Sequence, residues 1–237
     1  RKPWGRGRAV WGGPDVPAVR VETRAPWADR FTLISKDARD LTTKDGQAAR
    51  AEASGALPNK FVANLPYAVA ATVVLDYFEL FPSLDSATIM VQKEVADRMA
   101  ALPGSKNYGA YTVKLRLYAE PAGRFAVGPG NFFPPPRVDS AVLRLNRRPI
   151  CDDAGVPLDA AAIAAACTMA EAAFATRRKT LSNSCKTYFA GRGAAGARII
   201  AALPQLFERA GVDPKLRGET LDVPAFVRLG KAYQDLA

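Results

Sequence analysis

Strand-like and helix-like segments alternate along the chain between residues 31 and 91. Three short apolar runs, at 31–35, 61–63 and 87–91, have the composition of buried strands. Between the last two runs, the apolar residues of 69–81 recur at helical spacing. Buried strands separated by helices are typical of a largely parallel, twisted α/β sheet, and we predict that fold for this part of the chain.

Two more strand patterns, at 124–127 and 140–145, flank a stretch rich in Gly and Pro at 128–136. Such a loop can join antiparallel neighbours, so we expect the pair to close the sheet as an antiparallel edge. After Pro149 the apolar residues recur at helical spacing to the end of the chain. We therefore predict an α/β domain over 28–148 and a small all-helical domain over 149–237.

Composition excludes several classes of site. The chain has 237 residues and no histidine, which rules out Ser-His-Asp triads, Cys-His nucleophiles and His-ligated metals. Cys151, Cys167 and Cys185 are widely spaced, with no C-x-x-C pair, which argues against a disulfide framework and favours the reducing cytosol. No apolar run approaches the ~18 residues of a membrane span. The formal charge of +10 indicates a polyanionic partner.

A polar tetrapeptide, Asn64-Leu65-Pro66-Tyr67, follows the strand pattern at 61–63. Ligands of open α/β sheets bind beyond the carboxyl ends of strands, so these residues are well placed for a site. The chemistry that fits is methyl transfer to an exocyclic amine. The Asn64 side-chain oxygen and the Leu65 carbonyl oxygen would accept its two N–H bonds, Pro66 would stiffen the loop, and Tyr67 would stack on the base. The alternative is a strand-ending turn with a hydrogen-bonding Asn.

Two other segments are candidates for binding a nucleoside or a base. Asp37-Ala38 follows the strand pattern at 31–35, where a carboxylate suits the amino group of a nucleoside cofactor, although Asp37 would serve equally as the cap of a turn. The segment 132–140 holds three consecutive prolines, which would present Phe132 as a rigid stacking platform for a base. Alternatively, this segment is a polyproline ligand, or a loop that packs its Phe into the core.

Basic residues concentrate in the window 172–207, which contains six Lys or Arg residues and no acidic residue. Arg177-Arg178-Lys179 precedes a helix pattern there, so a positive patch is anchored to a rigid element and suits phosphate binding. The alternative is a solvated helix face. The segment 104–109, which includes Lys106, is a basic loop without P-loop spacing. The segment 92–98 has the i,i+4 charge pairs of an exposed helix.

Taken in order, these blocks resemble the bacterial small-subunit rRNA adenine dimethyltransferases, the KsgA family. The resemblance is carried by residues 64–67, 92–98, 103–106, 132–142, 173–183 and 211–221. It implies a Rossmann-like methyltransferase sheet and a helical RNA-binding domain. It further implies transfer of methyl groups from S-adenosylmethionine to two adjacent adenines in the 3′-terminal hairpin of 16S rRNA.

The resemblance also implies roles for individual residues. Asp37 and Ala38 would meet the cofactor adenine, Asn64 would lie near both the cofactor and the target amine, and Tyr67 and Phe132 would sandwich a flipped base. The implied RNA-binding residues are Arg177, Arg178, Lys179, Lys106 and Arg137. We expect a cytoplasmic monomer that binds small-subunit precursor RNA and needs neither a metal nor a membrane.

The N-terminal part departs from the family pattern, which has a Gly-rich cofactor loop, E-x-G-x-G-x-G, after its first strand. We expect residues 1–27 to be irregular, with no apolar strand before Gly12-Gly13, and the start to be truncated or replaced up to about Arg24. Glu22 would bind the cofactor ribose, but it stands only 15 residues before Asp37. With the loop absent, we expect weak cofactor binding and little activity from this chain, and retained RNA binding.

Two alternatives stay open at this point. The first is a large-subunit rRNA adenine methyltransferase of the macrolide-resistance kind. The second is a non-catalytic RNA-binding or ribosome assembly factor that has lost its cofactor loop. The block at 211–221 favours the small-subunit enzyme over the first, and cofactor binding would distinguish an enzyme from the second.

Overall fold

The computed structural model describes residues 9–11, 33–35, 38–39, 58–66 and 69–236. The strands are β1 (Ala9–Trp11), β2 (Leu33–Ser35), β3 (Lys60–Asn64), β4 (Ser86–Gln92), β5 (Ala119–Val127) and β6 (Ser140–Arg147). The α-helices are α1 (Ala70–Leu80), α2 (Lys93–Met99), α3 (Ala110–Arg116), α4 (Ala160–Phe174), α5 (Leu181–Ala190), α6 (Gly193–Ala210) and α7 (Val223–Gln234). Short 3₁₀ turns occur at Pro129–Asn131 and Gly218–Thr220.

The main sheet has the strand order β3-β4-β6-β5. β3 and β4 are parallel, as their helical connection requires, whereas β6 is antiparallel to both β4 and β5. The predicted antiparallel edge pair is therefore confirmed. One face of the sheet is buried because the alternating residues Ala87, Ile89 and Val91 of β4, with Leu143 and Leu145 of β6, point to the same side.

The expectation of an irregular N-terminal segment is wrong at one place. Ala9–Trp11 forms β1, which pairs in parallel with β2 from Ala9 opposite Leu33 to Trp11 opposite Ser35. Three residues are too few to show a period, and this strand is defined only by its distant partner. Gly12-Gly13 consequently does follow a strand, and Asp37 follows that strand's parallel neighbour. The alternation at 18–21 and Glu22 lie outside the described residues.

Helix α1 packs its predicted apolar residues into the core, where Val73, Val74 and Phe78 are fully buried. Arg147, the last residue of β6, forms hydrogen bonds to the carboxyl end of this helix. Its guanidinium donates hydrogen bonds of 2.5 and 2.8 Å to the carbonyl oxygens of Phe78 and Phe81 at the carboxyl end of the helix. The sheet and α1 are thereby fastened together at the amino end of β4.

The C-terminal part is a bundle of four α-helices, α4 to α7, as the helical spacing predicts. Asp222 accepts a hydrogen bond of 2.9 Å from the Ala225 amide and caps α7, while Gly211 ends α6 in the left-handed conformation with φ 61°. Helices α4 and α7 lie very close, since a Cβ built at Gly230 would stand 2.6 Å from the Ala166 nitrogen.

Contacts join this bundle to the α/β part. The buried Tyr108 donates a hydrogen bond of 2.9 Å to the Leu221 carbonyl oxygen, and Lys114 of α3 forms an ion pair of 2.8 Å with Glu171 of α4. Side chains that come before the predicted domain boundary near residue 149 therefore contact the helices that come after it. No helix in the described part of the chain is long and apolar enough to span a membrane.

A candidate active site at the carboxyl end of β3

Asn64 is the last residue of β3, and its neighbours fix its position. The Leu65 amide donates a hydrogen bond of 3.0 Å to the Met90 carbonyl oxygen of β4, and the Leu65 side chain is buried. The Pro66 carbonyl oxygen then accepts from the amides of Val69 and Ala70, at 3.2 and 3.1 Å, where α1 begins. The backbone on both sides of the strand end is therefore held, while the Asn64 side chain stays exposed.

The Asn64 side chain lines a cleft of about 370 Å³. Leu65 and Pro66 form the same wall, and the opposite wall is made by Phe132, Phe133, Pro134, Pro136 and Ser140. The structure thus brings Asn64, Leu65, Pro66 and Phe132 together, whereas Tyr67 lies outside the described residues. Phe132 is half-buried and Phe133 is fully exposed, so neither ring is a core residue of this part of the fold.

The wall that carries Phe132 is anchored at both ends. At its start, the Phe132 amide donates a hydrogen bond of 3.1 Å to the Pro129 carbonyl oxygen. At its far end, the Asp139 carbonyl oxygen accepts a bond of 2.9 Å from the Lys93 amide, and Ser140 begins β6 opposite Gln92. The arm between these points includes a cis Phe133-Pro134 peptide bond. The proline-rich segment is therefore a defined wall of the cleft.

The cleft offers unfilled hydrogen-bond acceptors next to an aromatic ring. Among the described residues, neither the Asn64 side chain nor the Leu65 carbonyl oxygen has a hydrogen-bond partner. Two acceptors on successive residues suit a planar ligand with an amino group, and Phe132 supplies a surface on which such a ligand can stack. This arrangement fits an aromatic amine such as a nucleobase.

Of the predicted cofactor residues beyond Asn64, only Ala38 is described. It is half-buried, and its carbonyl oxygen accepts a hydrogen bond of 2.9 Å from the Tyr77 hydroxyl of α1. The turn that follows β2 is therefore fastened to the helix that follows Asn64. Asp37 and Glu22 lie outside the described residues. No group of Cys, Asp and Glu residues within the described ranges is arranged to hold a metal ion.

The predicted RNA-binding residues occupy two places. Arg178 and Lys179 are exposed at the turn between α4 and α5, and neither forms an ion pair with any described residue. Arg177 differs, since its guanidinium lies 3.4 Å from the Glu219 carboxylate and also donates to the Lys106 carbonyl oxygen. Arg177 therefore ties the loop that carries Lys106 to the helical bundle. Arg137 lies elsewhere, beside the cleft.

Next to the cleft is a second hollow that the sequence did not reveal. It measures about 350 Å³ and is lined by Gln92, Lys93, Glu94, Asp97, Arg137, Val138 and Asp139. The i,i+4 pairs predicted for this helix are present, with Lys93 3.0 Å from Asp97 and Arg98 3.3 Å from Glu94. Gln92 is the last residue of β4, just as Asn64 is the last residue of β3. A polar residue at the end of a second strand is the feature of the sequence that could have indicated this hollow.

One residue that lines this hollow, Asp97, also forms an ion pair with β5. Arg124 contacts Asp97, which also accepts from Lys93. Partial burial raises the pKa of Asp97, but the hydrogen bonds from Lys93 and Arg124 outweigh burial and hold the pKa below its ordinary value of 3.8. Asp97 is therefore a carboxylate already neutralised by two cations.

Comparison with known proteins places the chain in a family. The model of the family described as ribosomal RNA adenine dimethylase matches residues 21–202. Ribosomal RNA small subunit methyltransferase A of Streptomyces griseus is 39% identical over 219 residues, which cover 91% of this chain and 67% of that protein. The protein of the same name from Corynebacterium jeikeium is 38% identical over 231 residues, covering 90% and 69%.

Solved structures share the fold. A dimethyladenosine transferase from Plasmodium falciparum superposes with a TM-score of 0.60 at 19% identity, covering 84% of this chain and 80% of that one. The 23S rRNA methyltransferase ErmE superposes with a TM-score of 0.50 at 21% identity, covering 96% and 91%. The fold class predicted from the sequence is thus confirmed, and the chain belongs to the ribosomal RNA adenine dimethylase family.

Proposed function

We propose that this protein transfers methyl groups from S-adenosylmethionine to the N6 atoms of two adjacent adenines in the 3′-terminal hairpin of 16S rRNA, during small-subunit biogenesis. The observation that carries the proposal is the Asn64 side chain, unpartnered among the described residues at a strand end and facing Phe132 across a cleft. The relatives named as small-subunit methyltransferases, 36–40% identical over about nine-tenths of the chain, support the choice of substrate.

The residues of the cleft could make the adenine amino group a better nucleophile. The lone pair of an adenine amino group is delocalised into the ring, which makes the nitrogen a poor nucleophile. If Asn64 Oδ1 and the Leu65 carbonyl oxygen accept the two N–H bonds, the nitrogen is held in a more tetrahedral geometry with its lone pair free. The proposed role of both groups is therefore to orient the amine, an interaction that strengthens as the N–C bond forms.

The base must leave its stack to reach these acceptors, because an adenine amino group inside a helix is not accessible to a strand end. Phe132 would replace the lost stacking on one side, and Tyr67 would replace it on the other. No general base is required in this proposal, since the methylated nitrogen becomes acidic and its proton passes to water.

The described residues fit one end of the cofactor. Bound S-adenosylmethionine supplies an electrophilic methyl group on a positively charged sulfur. Asn64, whose side chain has no hydrogen-bond partner among the described residues at the carboxyl end of β3, would accept from the amine and hold it in line with that methyl group. Ala38, the residue proposed to meet the cofactor adenine, accepts a hydrogen bond from Tyr77 through its carbonyl oxygen. Asp37 and Glu22 complete the proposed set.

The test is substitution of Asn64 by Ala. We expect single-turnover methyl transfer at saturating cofactor to be lost, while RNA affinity stays nearly unchanged because phosphate contacts dominate it. Asn59→Ala is the matched control, since Asn59 stands just before the start of the same strand and, among the described residues, its side chain bonds only to the Asp85 carboxylate, at 3.2 Å. Asn64→Ala transferring methyl groups at the rate of the control would refute the role of Asn64.

A further inference from the structure

We propose that the hollow formed by Gln92, Arg137 and Asp139 holds the nucleobase next to the target base, so that the two adjacent adenines occupy two adjoining subsites. This inference rests on the proposed function and adds a second binding site to it.

The hollow and the Asn64 cleft share a boundary. Ser140 lines the cleft, and its partner in the β4–β6 ladder, Gln92, lines the hollow. The proline-rich arm contributes to both, through Pro136 on the cleft side and Arg137 on the hollow side. Paired strands lie about 4.8 Å apart, which is comparable to the ~3.4 Å rise between successive nucleotides. Neighbouring bases of one RNA strand can therefore reach both places.

Most charges of the hollow are already neutralised within the protein. Asp97 is paired with Lys93 and Arg124, and Glu94 is paired with Arg98. The side chains left without a partner among the described residues are the Gln92 amide, the Arg137 guanidinium and the Asp139 carboxylate. Val138 adds an apolar surface that is 40% exposed.

These unpaired groups suit a base edge better than a phosphate. A phosphate in the hollow would be attracted by Arg137 but repelled by Asp139, so the two charges would nearly cancel. An adenine offers both an amino donor and ring-nitrogen acceptors. The Gln92 amide can both donate a hydrogen bond to adenine and accept one from it, and the Asp139 carboxylate can accept from the amino group. The planar Arg137 guanidinium can donate to a ring nitrogen or stack on the base.

The experiment measures binding to a hairpin RNA with two adjacent adenines, by fluorescence anisotropy and without cofactor. Each adenine is replaced in turn by purine, which lacks only the amino group. For at least one position, we expect about fivefold weaker binding to the native protein, the effect of one hydrogen bond. In Asp139→Ala and in Gln92→Ala, that difference should largely disappear.

Glu208→Ala is the control, because Glu208 is an exposed carboxylate on α6 without a partner among the described residues. Loss of a negative charge should by itself strengthen RNA binding, so weaker binding by Asp139→Ala already indicates a direct contact. The Asp139 side chain is exposed, and Gln92→Ala gives a second measurement should that variant fold poorly.

The inference is wrong if replacing adenine by purine weakens RNA binding by Asp139→Ala and Gln92→Ala as much as it weakens binding by the Glu208→Ala control. The proposed function would be unaffected by that result, provided that the protein binds the hairpin better than a scrambled hairpin. Equal binding of the two hairpins by the native protein would contradict the proposed function as well.

Discussion

Asn64 and Phe132 are 68 residues apart in the sequence, and the fold brings them together through two local anchors. The buried Leu65 fixes the end of β3, and the Lys93 amide holds the end of the arm at Asp139. The sequence indicated both residues, because a polar residue after a buried strand and an aromatic residue before three prolines are local patterns. Their shared cleft depends on the order β3-β4-β6, which no local pattern contains.

At the residue scale, we predict that Phe132→Ala weakens capture of the target base by about 1–3 kcal/mol, because the base loses one stacking surface. Fluorescence of a 2-aminopurine placed at the target position would report the flipped state directly. Tyr67→Ala should have an effect of the same size if the two rings enclose the base.

The control for this measurement is Phe125→Ala. Phe125 is also a largely exposed aromatic residue, 62% exposed on β5, but it does not line the cleft. We expect it to leave the fluorescence signal unchanged. Loss of the folded state in Phe132→Ala, without a selective loss of base capture, would instead identify Phe132 as a structural residue.

Gln92 shows where residue-scale reasoning from the sequence fell short. The segment that follows it has the i,i+4 charge pairs of a solvated helix, and those pairs are present. The same pattern gives no indication that Gln92 opposes Ser140 and opens into a hollow, because that depends on the register of β4 against β6. The additional contact from Arg124 likewise comes from a strand distant in the sequence.

At the element scale, the basic turn between α4 and α5 contains residues of two kinds. Arg177 is engaged with Glu219 and with the Lys106 carbonyl oxygen, so it stabilises the position of the loop at 104–109. Arg178 and Lys179 are exposed and free of ion pairs with the described residues. The sequence grouped all three as phosphate ligands because the partners that engage Arg177 lie 42 and 71 residues away.

We therefore predict that Arg178→Ala and Lys179→Ala each lower affinity for any structured RNA and reduce the slope of log K against log salt by about one. Arg177→Ala should also reduce the thermal stability of the protein, since it releases the loop. The measurement is a salt titration of RNA binding together with a thermal melt. A loss confined to one RNA sequence would contradict phosphate binding by Arg178 and Lys179.

The secondary structure was predictable where a segment is long enough to show a period. The apolar spacing at 69–81 predicted α1, and the Gly/Pro-rich stretch predicted the antiparallel pair β5 and β6. β1 was missed because three residues carry no period. The strand that precedes Gly12-Gly13 is defined only by hydrogen bonds to β2, whose sequence lies more than twenty residues further along.

At the scale of the whole molecule, the helical bundle and the sheet are joined by Tyr108, by the ion pair between Lys114 and Glu171, and by Arg177. RNA bound at the basic turn, as we propose, would therefore be held by elements that contact the α/β part directly. This arrangement supports a division of labour in which the bundle holds phosphates and the cleft selects the base.

We predict that the chain binds S-adenosylmethionine weakly. The 237 residues contain no E-x-G-x-G-x-G loop, so these residues by themselves would lack several backbone hydrogen bonds of about 1 kcal/mol each, and we expect them to bind S-adenosylmethionine at least about a hundredfold more weakly than a relative with that loop does. Calorimetric titration measures this. Low-micromolar binding would show that the N-terminal residues, including Gly12-Gly13 after β1, form a cofactor pocket of another design.

The most direct test of the account is to locate the methyl groups on ribosomal RNA. Unmethylated small and large subunits are mixed with excess protein and saturating S-adenosylmethionine, so that weak cofactor binding slows the reaction without hiding its target. Mass spectrometry of the digested RNA should find N6,N6-dimethyladenosine at two adjacent positions near the 3′ end of 16S rRNA. Methyl groups on 23S rRNA, or none on either RNA while the protein binds small subunits, would contradict it.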